Sequence, residues 1–128
     1  MTDYSKLSDF EINCEVLAVF SPDIKHMSLS GDNSCFYDCG PTGDGWNQID
    51  IPDFCNNPAY AWPIIVENKI SVMWMTAEKE WCAWSHGDLE EGTWHWENVP
   101  DYYFCCESQL RAAMVCFLMA QESNHANS

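Results

Sequence analysis

Nine consecutive apolar residues, Ala112 to Ala120 in LRAAMVCFLMAQES, constrain this chain more than any other feature. A helix through them is apolar on every side, so it has to be surrounded by other elements rather than laid on a surface. The run is too short to span a bilayer. Glu107-Ser-Gln-Leu-Arg111 supplies a polar start, and the tail 123–128 is expected to fray. A chain of 128 residues has room for one domain built around such a helix and little else.

Two further helices are marked by their caps. Ser8-Asp-Phe-Glu11 is an S-x-x-E capping box, and Phe10, Cys14, Leu17 and Ala18 follow at helical spacing, which predicts a helix from about Asp9 to Phe20, ended by Ser21-Pro22. In CNNPAYAWPIIVEN, Asn57 stands at a cap and Pro58 at the first helical position, where a missing N–H costs nothing. Pro63 is expected to kink or restart that helix.

Residues 21–54 read as loops with one short strand at Ser34–Asp38. Gly40–Gly45, GPTGDG, lacks the Lys-Ser/Thr ending of a phosphate loop and reads as a turn. Ile70, Val72 and Trp74 alternate as in a strand. Trp94 and Trp96 alternate with Thr93, His95 and Glu97 after the acidic turn HGDLEEG, predicting a hairpin with one tryptophan face.

Twenty acids against five bases give a net charge of −15, with no Lys or Arg between Lys25 and Lys69. Such a chain repels a nucleic-acid backbone, so direct nucleic-acid binding is excluded as a working reading. An acidic surface serves solubility or faces a basic partner as a DNA mimic would. The N-terminus shows neither the basic nor the apolar region of a signal peptide, so the eight cysteines are read as reduced thiols in a cytoplasm.

The segments LSDFEIN, CNNPAYAWPIIVENKIS and LRAAMVCFLMAQES together resemble the NinX family of small phage proteins, a domain of unknown function. The family's middle segment often reads NNPADAWPII and its last helix often opens NPLRAAM. Here Tyr60 replaces an acid, and Glu107-Ser108-Gln109 stands where Asn-Pro would be. The resemblance implies a phage accessory protein acting inside an infected bacterium, and it brings no activity and no catalytic residues.

Asn56, Asn57, Tyr60, Trp62 and Arg111 form the candidate ligand-binding set. A helix N-terminus offers free amides and a positive dipole to an anion, two aromatics offer stacking, and two amides can read a base edge. The plainer reading of the same residues is an internal cap plus an ion pair of Arg111 with Glu107, one turn earlier. Cys35, Cys39 and Cys55, or Cys105 and Cys106, lack the paired C-x-x-C spacing of zinc sites, so no metal and no cofactor are expected. His86, Asp88, Glu90, Glu91 and His95 cluster in sequence but come with no nucleophile motif, and the chain is read as a non-enzyme. Seven tryptophans exceed what a core of this size absorbs, which points to a pocket or a subunit interface and a possible homo-oligomer.

The expected fold is α+β. A small antiparallel sheet from about Ile70 to Glu97 packs against a buried C-terminal helix, with an N-terminal helix and a kinked middle helix. The leading functional expectation is a counter-defence protein of the host bacterial cytoplasm that sequesters a small nucleotide-like immune signal. The alternative is an acidic inhibitor or DNA mimic that occupies the basic groove of a host nuclease or regulator.

Overall fold

Ser8 caps the first helix as its spacing from Glu11 requires. Its Oγ accepts from the Glu11 amide at 3.1 Å while Glu11 Oε1 accepts from the Ser8 amide at 3.1 Å, so two orphan donors are satisfied reciprocally. In this computed structural model, which describes residues 3–39, 45–85, 88–89, 96–98 and 102–126, helix α1 runs over Asp9–Phe20. Its deepest face carries Ile12, Asn13, Val16 and Leu17, while Phe10, Cys14 and Ala18 lie half-buried beside it. A 3-10 turn, Pro22–His26, follows and buries Ile24.

The region expected to be mostly loop holds three strands: β1 (Ser28–Leu29), β2 (Cys35–Asp38) and β3 (Asn47–Asp50), paired antiparallel in that order. Phe36 lies opposite Ile49, and both lean on the core with Met27 and Ile51. The GPTGDG reading falls at residues 40–44, outside the described residues, apart from Gly45.

Helix α2 spans Pro58–Glu67 with Asn57 Oδ1 accepting from the Ala59 amide at 3.0 Å. It runs through Pro63 without restarting. Lys69 then adopts φ 55, and the Ile70 amide reaches the Ile65 carbonyl at 3.0 Å. That left-handed turn ends the helix and aims the chain into a strand.

The second sheet has the order β4 (Ser71–Met75), β5 (Glu80–Ser85) and, outside the predicted span, an eighth strand, β8 (Tyr102–Cys106). A separate antiparallel pair joins β6 (Asp88–Leu89) to β7 (Trp96–Asn98). The predicted tryptophan face of that hairpin and its acidic turn lie outside the described side chains. In the three-stranded sheet Val72, Ala83 and Phe104 are aligned across one face and turn to the core. Met73, Cys82 and Cys105 are aligned across the other.

Helix α3, Gln109–Ala126, is the centre of the molecule. Ala112 through Leu118 are all buried, and the helix touches β4, β5, β8, α1 and α2. Burying each of its larger side chains contributes roughly 1.5–3 kcal/mol, so the apolar run organises everything else. The backbone stays helical to Ala126, past the point where fraying is expected. The architecture is α+β, and among the described residues no helix is long and apolar enough to cross a membrane.

Candidate functional site

Three helix N-termini meet at one place. The first turn of α1 brings Asp9, the approach to α2 brings Asp53, Cys55, Asn56 and Asn57, and the start of α3 brings Ser108 and Arg111. Each terminus carries unpaired amides and a positive dipole end, so the junction calls for negative charge.

The protein supplies that charge itself. Arg111 Nη1 donates to Asp9 Oδ1 at 2.7 Å, and its Nη2 donates to the carbonyls of Leu7 at 2.5 Å and Tyr4 at 3.2 Å. Asn56 Nδ2 donates to Asp53 Oδ1 at 3.0 Å and reaches Asp9 Oδ2 at 3.3 Å. Asn13 closes the chain from below: its Nδ2 donates to Asp53 Oδ1 at 3.0 Å and its Oδ1 accepts from the Cys55 amide at 3.0 Å. Ser108 Oγ accepts from the Arg111 amide at 3.3 Å, capping α3, and lies 3.5 Å from the Cys55 carbonyl.

This arrangement corrects one expectation. The partner of Arg111 is Asp9, 102 positions away, and not Glu107 on its own helix. Of the five residues of the candidate set, three are already engaged within the protein. Arg111 is spent on Asp9 and two carbonyls, Asn56 on Asp53 and Asp9, and Asn57 on its own helix cap. Clefts of about 320 and 500 Å³ lie elsewhere, one beside Glu15, Lys25 and Glu122, the other beside Asp23, His26 and Gln48.

Tyr60 and Trp62 go the other way. Tyr60 is 48% exposed and sets its ring edge-on to Phe54 with centroids 6.3 Å apart, while Trp62 is 53% exposed. Val66, one turn beyond Trp62, is 58% exposed. Ala59 and Pro63 are exposed on the same side. Residues at spacings of three and four share one helix face, so Ala59, Trp62, Pro63 and Val66 make an apolar stripe pointing to solvent, with Tyr60 at its flank. Ala61, Ile64 and Ile65 are the buried face of the same helix. Glu67, exposed, is the last residue of the helix.

A family profile described as bacteriophage P22, NinX matches residues 3–121 of the chain. The chain belongs to this NinX family. No curated protein and no solved structure matches it. The matched span of the NinX chain takes in the three-helix junction and the outward stripe of α2 together.

The thiols of this NinX chain are quiet at the junction. Burial, then the neighbouring Asp9 charge, pushes Cys55 up to about 12. Cys106 is raised, chiefly by burial, and donates to the Ser108 carbonyl at 3.3 Å. All eight cysteines are free thiols, and among the described residues no three His, Cys, Asp or Glu side chains converge as a metal site requires. Cys35 is buried on β2, Cys39 is exposed after it, and Cys55 faces the Asp9 carbonyl. The acidic and histidine cluster at 86–95 lies outside the described side chains.

Proposed function

We propose that this NinX-family phage protein is a non-enzymatic accessory factor that binds and blocks a basic protein of the infected bacterium. The observation that carries the reading is the apolar stripe on α2, with Trp62 and Val66 side by side and both more than half exposed. A large aromatic held open to water on a rigid helix fits the centre of a protein interface better than a monomer surface.

Charge selects the occupant. The stripe lies on a helix that ends in the exposed Glu67, on a chain of net charge −15, so a partner with an apolar notch and a basic rim is complementary. A second copy of the chain carries the same −15 and is repelled. A host nuclease or regulator with a basic nucleic-acid groove has the required chemistry, which makes counter-defence in the host cytoplasm the biological setting. Capture of a nucleotide-like signal at the α2 entrance finds less support, because the donors it needs are committed to Asp9, Asp53 and the backbone.

The test is site-specific photocrosslinking in infected cells, with a benzophenone amino acid at position 62 and, as control, at position 69. The expected result is one adduct with a basic host protein from position 62, weakened at high salt. Adducts only with another copy of the chain, or equal adducts from both positions, would overturn the reading.

A further inference from the structure

Cys82 and Cys105 are directly paired across β5 and β8, on the sheet face turned away from the core. Directly opposed residues of antiparallel strands have Cα atoms about 4.5–5.5 Å apart, inside the roughly 4.4–6.8 Å window of disulfides. Proximity to Cys105 is among the causes that push the Cys82 thiol up. Cys105 is exposed and Cys82 is buried, so one sulfur is open to a reagent and the other waits beneath it. Cys106, next in sequence, points to the opposite face and donates to the Ser108 carbonyl, which removes it from competition.

We propose that Cys82 and Cys105 form a dithiol modification site, in which a small disulfide of the glutathione type converts them to a cross-strand disulfide. The exposed Cys105 loses its proton and attacks one sulfur of the reagent. That breaks the reagent's S–S bond, leaves a mixed disulfide on Cys105 and expels one thiolate, which takes up the proton. Cys82 then loses its proton and attacks the Cys105 sulfur. The Cys82–Cys105 bond forms, the mixed disulfide breaks, and a second small thiol leaves. The two protein thiols are oxidised by two electrons, and one small disulfide is reduced to two thiols.

Burial, with the Cys105 contact second, pushes Cys82 up to about 12. The second step is therefore slow near neutrality and speeds up with pH. The new bond would tie β5 to β8 and close a loop of about two dozen residues, constraining the unfolded chain. Cys39, exposed after β2, has no cysteine paired opposite it among the described strands, so its modification stays at the mixed-disulfide stage.

The experiment treats the full reduced chain with glutathione disulfide, traps free thiols by alkylation, and maps peptides after cleavage at glutamate. No Lys or Arg separates position 82 from position 105, so trypsin would leave the pair in one fragment. The expected product is two hydrogens lighter, links Cys82 to Cys105, and melts higher by roughly 10 °C. Cys82→Ser should stop at a glutathione adduct on Cys105, and Cys106→Ser should behave as wild type. A wild-type chain that accumulates a stable Cys105 adduct without losing the Cys82 thiol, or that links other cysteines instead, overturns the proposal. Mapping the wild-type chain decides the matter even if the Cys82 variant fails to fold.

Discussion

Arg111 and Asp9 meet at 2.7 Å across 102 residues of sequence and join the first turn of α3 to the first turn of α1. The Arg111 side chain is only 15% exposed, whereas Asp9 keeps 45%, so the pair lies at the edge of the core and not in its middle. The same guanidinium also satisfies two backbone carbonyls in the segment before α1. Its removal therefore takes a donor from three acceptors at once, of which the Tyr4 carbonyl keeps the Leu7 amide and Asp9 keeps Asn56.

Arg111→Met is expected to destabilise the fold by about 2–4 kcal/mol. Asp9→Asn, acting on the more exposed partner, should cost about 1 kcal/mol. Urea unfolding of the two single variants and the double variant should give a coupling of about 1–2 kcal/mol. Arg111→Lys should not restore stability, because a single ammonium cannot reproduce the planar fork that spans Asp9 and both carbonyls. An Arg111→Met protein within about 0.5 kcal/mol of wild type would contradict the assignment.

Asn13 is a buried polar residue with both ends of its amide in use. Asn13→Ala leaves the Cys55 amide without its acceptor, and the expected loss is about 2 kcal/mol. Asn57→Ala removes only the α2 cap and should cost about 1 kcal/mol. Chemical denaturation of the two variants side by side tests the order; a larger effect at Asn57 would be against it.

The capping signals were legible because they are local. Ser8 with Glu11 and Asn57 with Pro58 each lie within four residues, and both helices start where those residues place them. The apolar run of α3 was legible because nothing but a central position accommodates it. The junction was not, since Asp9 and Arg111, or Asn13 and Asp53, carry no mark of each other at a distance of 102 or 40 positions. Asn13 reads as a polar interruption in α1 until Asp53 and the Cys55 amide are seen to bracket it. Strands β1 and β3 were missed because one has two residues and the other, Asn47–Asp50, has one apolar side chain among four. Tyr102–Cys106 carried a real aromatic strand signal, and its role as the partner of β5 follows only from the pairing.

The outward stripe of α2 should be dispensable for folding. Trp62→Ser and Val66→Ser remove apolar surface that faces water, so each is expected to change stability by no more than about 0.5 kcal/mol. Crosslinking to a host protein from a neighbouring probe position should nonetheless be lost. If either variant unfolds the chain, or if both leave the adduct intact, the stripe is not a docking surface.

Three buried thiols make the fold sensitive to alkali. Burial pushes Cys116 up to about 11 and Cys55 to about 12, with Cys82 also near 12, against 9.0 for the free group. Raised native values mean that this stability is fully present below about pH 9 and is lost as pH rises through the native values. The urea midpoint should therefore hold steady up to about pH 9 and fall above it. Cys116→Ala should flatten the decline, since it deletes one of the groups responsible. An identical slope in that variant would assign the effect to other residues.

The central claim is that the meeting point of the three helices is neutralised from within, which leaves the outer face of α2 as the working surface. The most direct measurement is side-chain NMR of the Arg111 guanidinium and the Asn56 and Asn57 amides during titration with cyclic dinucleotides, ADP-ribose and inorganic phosphate. The account predicts that the Arg111 signals are slow to exchange and stay unmoved across the titration. Saturable shifts at Arg111 together with the two asparagines would show that the junction opens to an outside anion, and would contradict it.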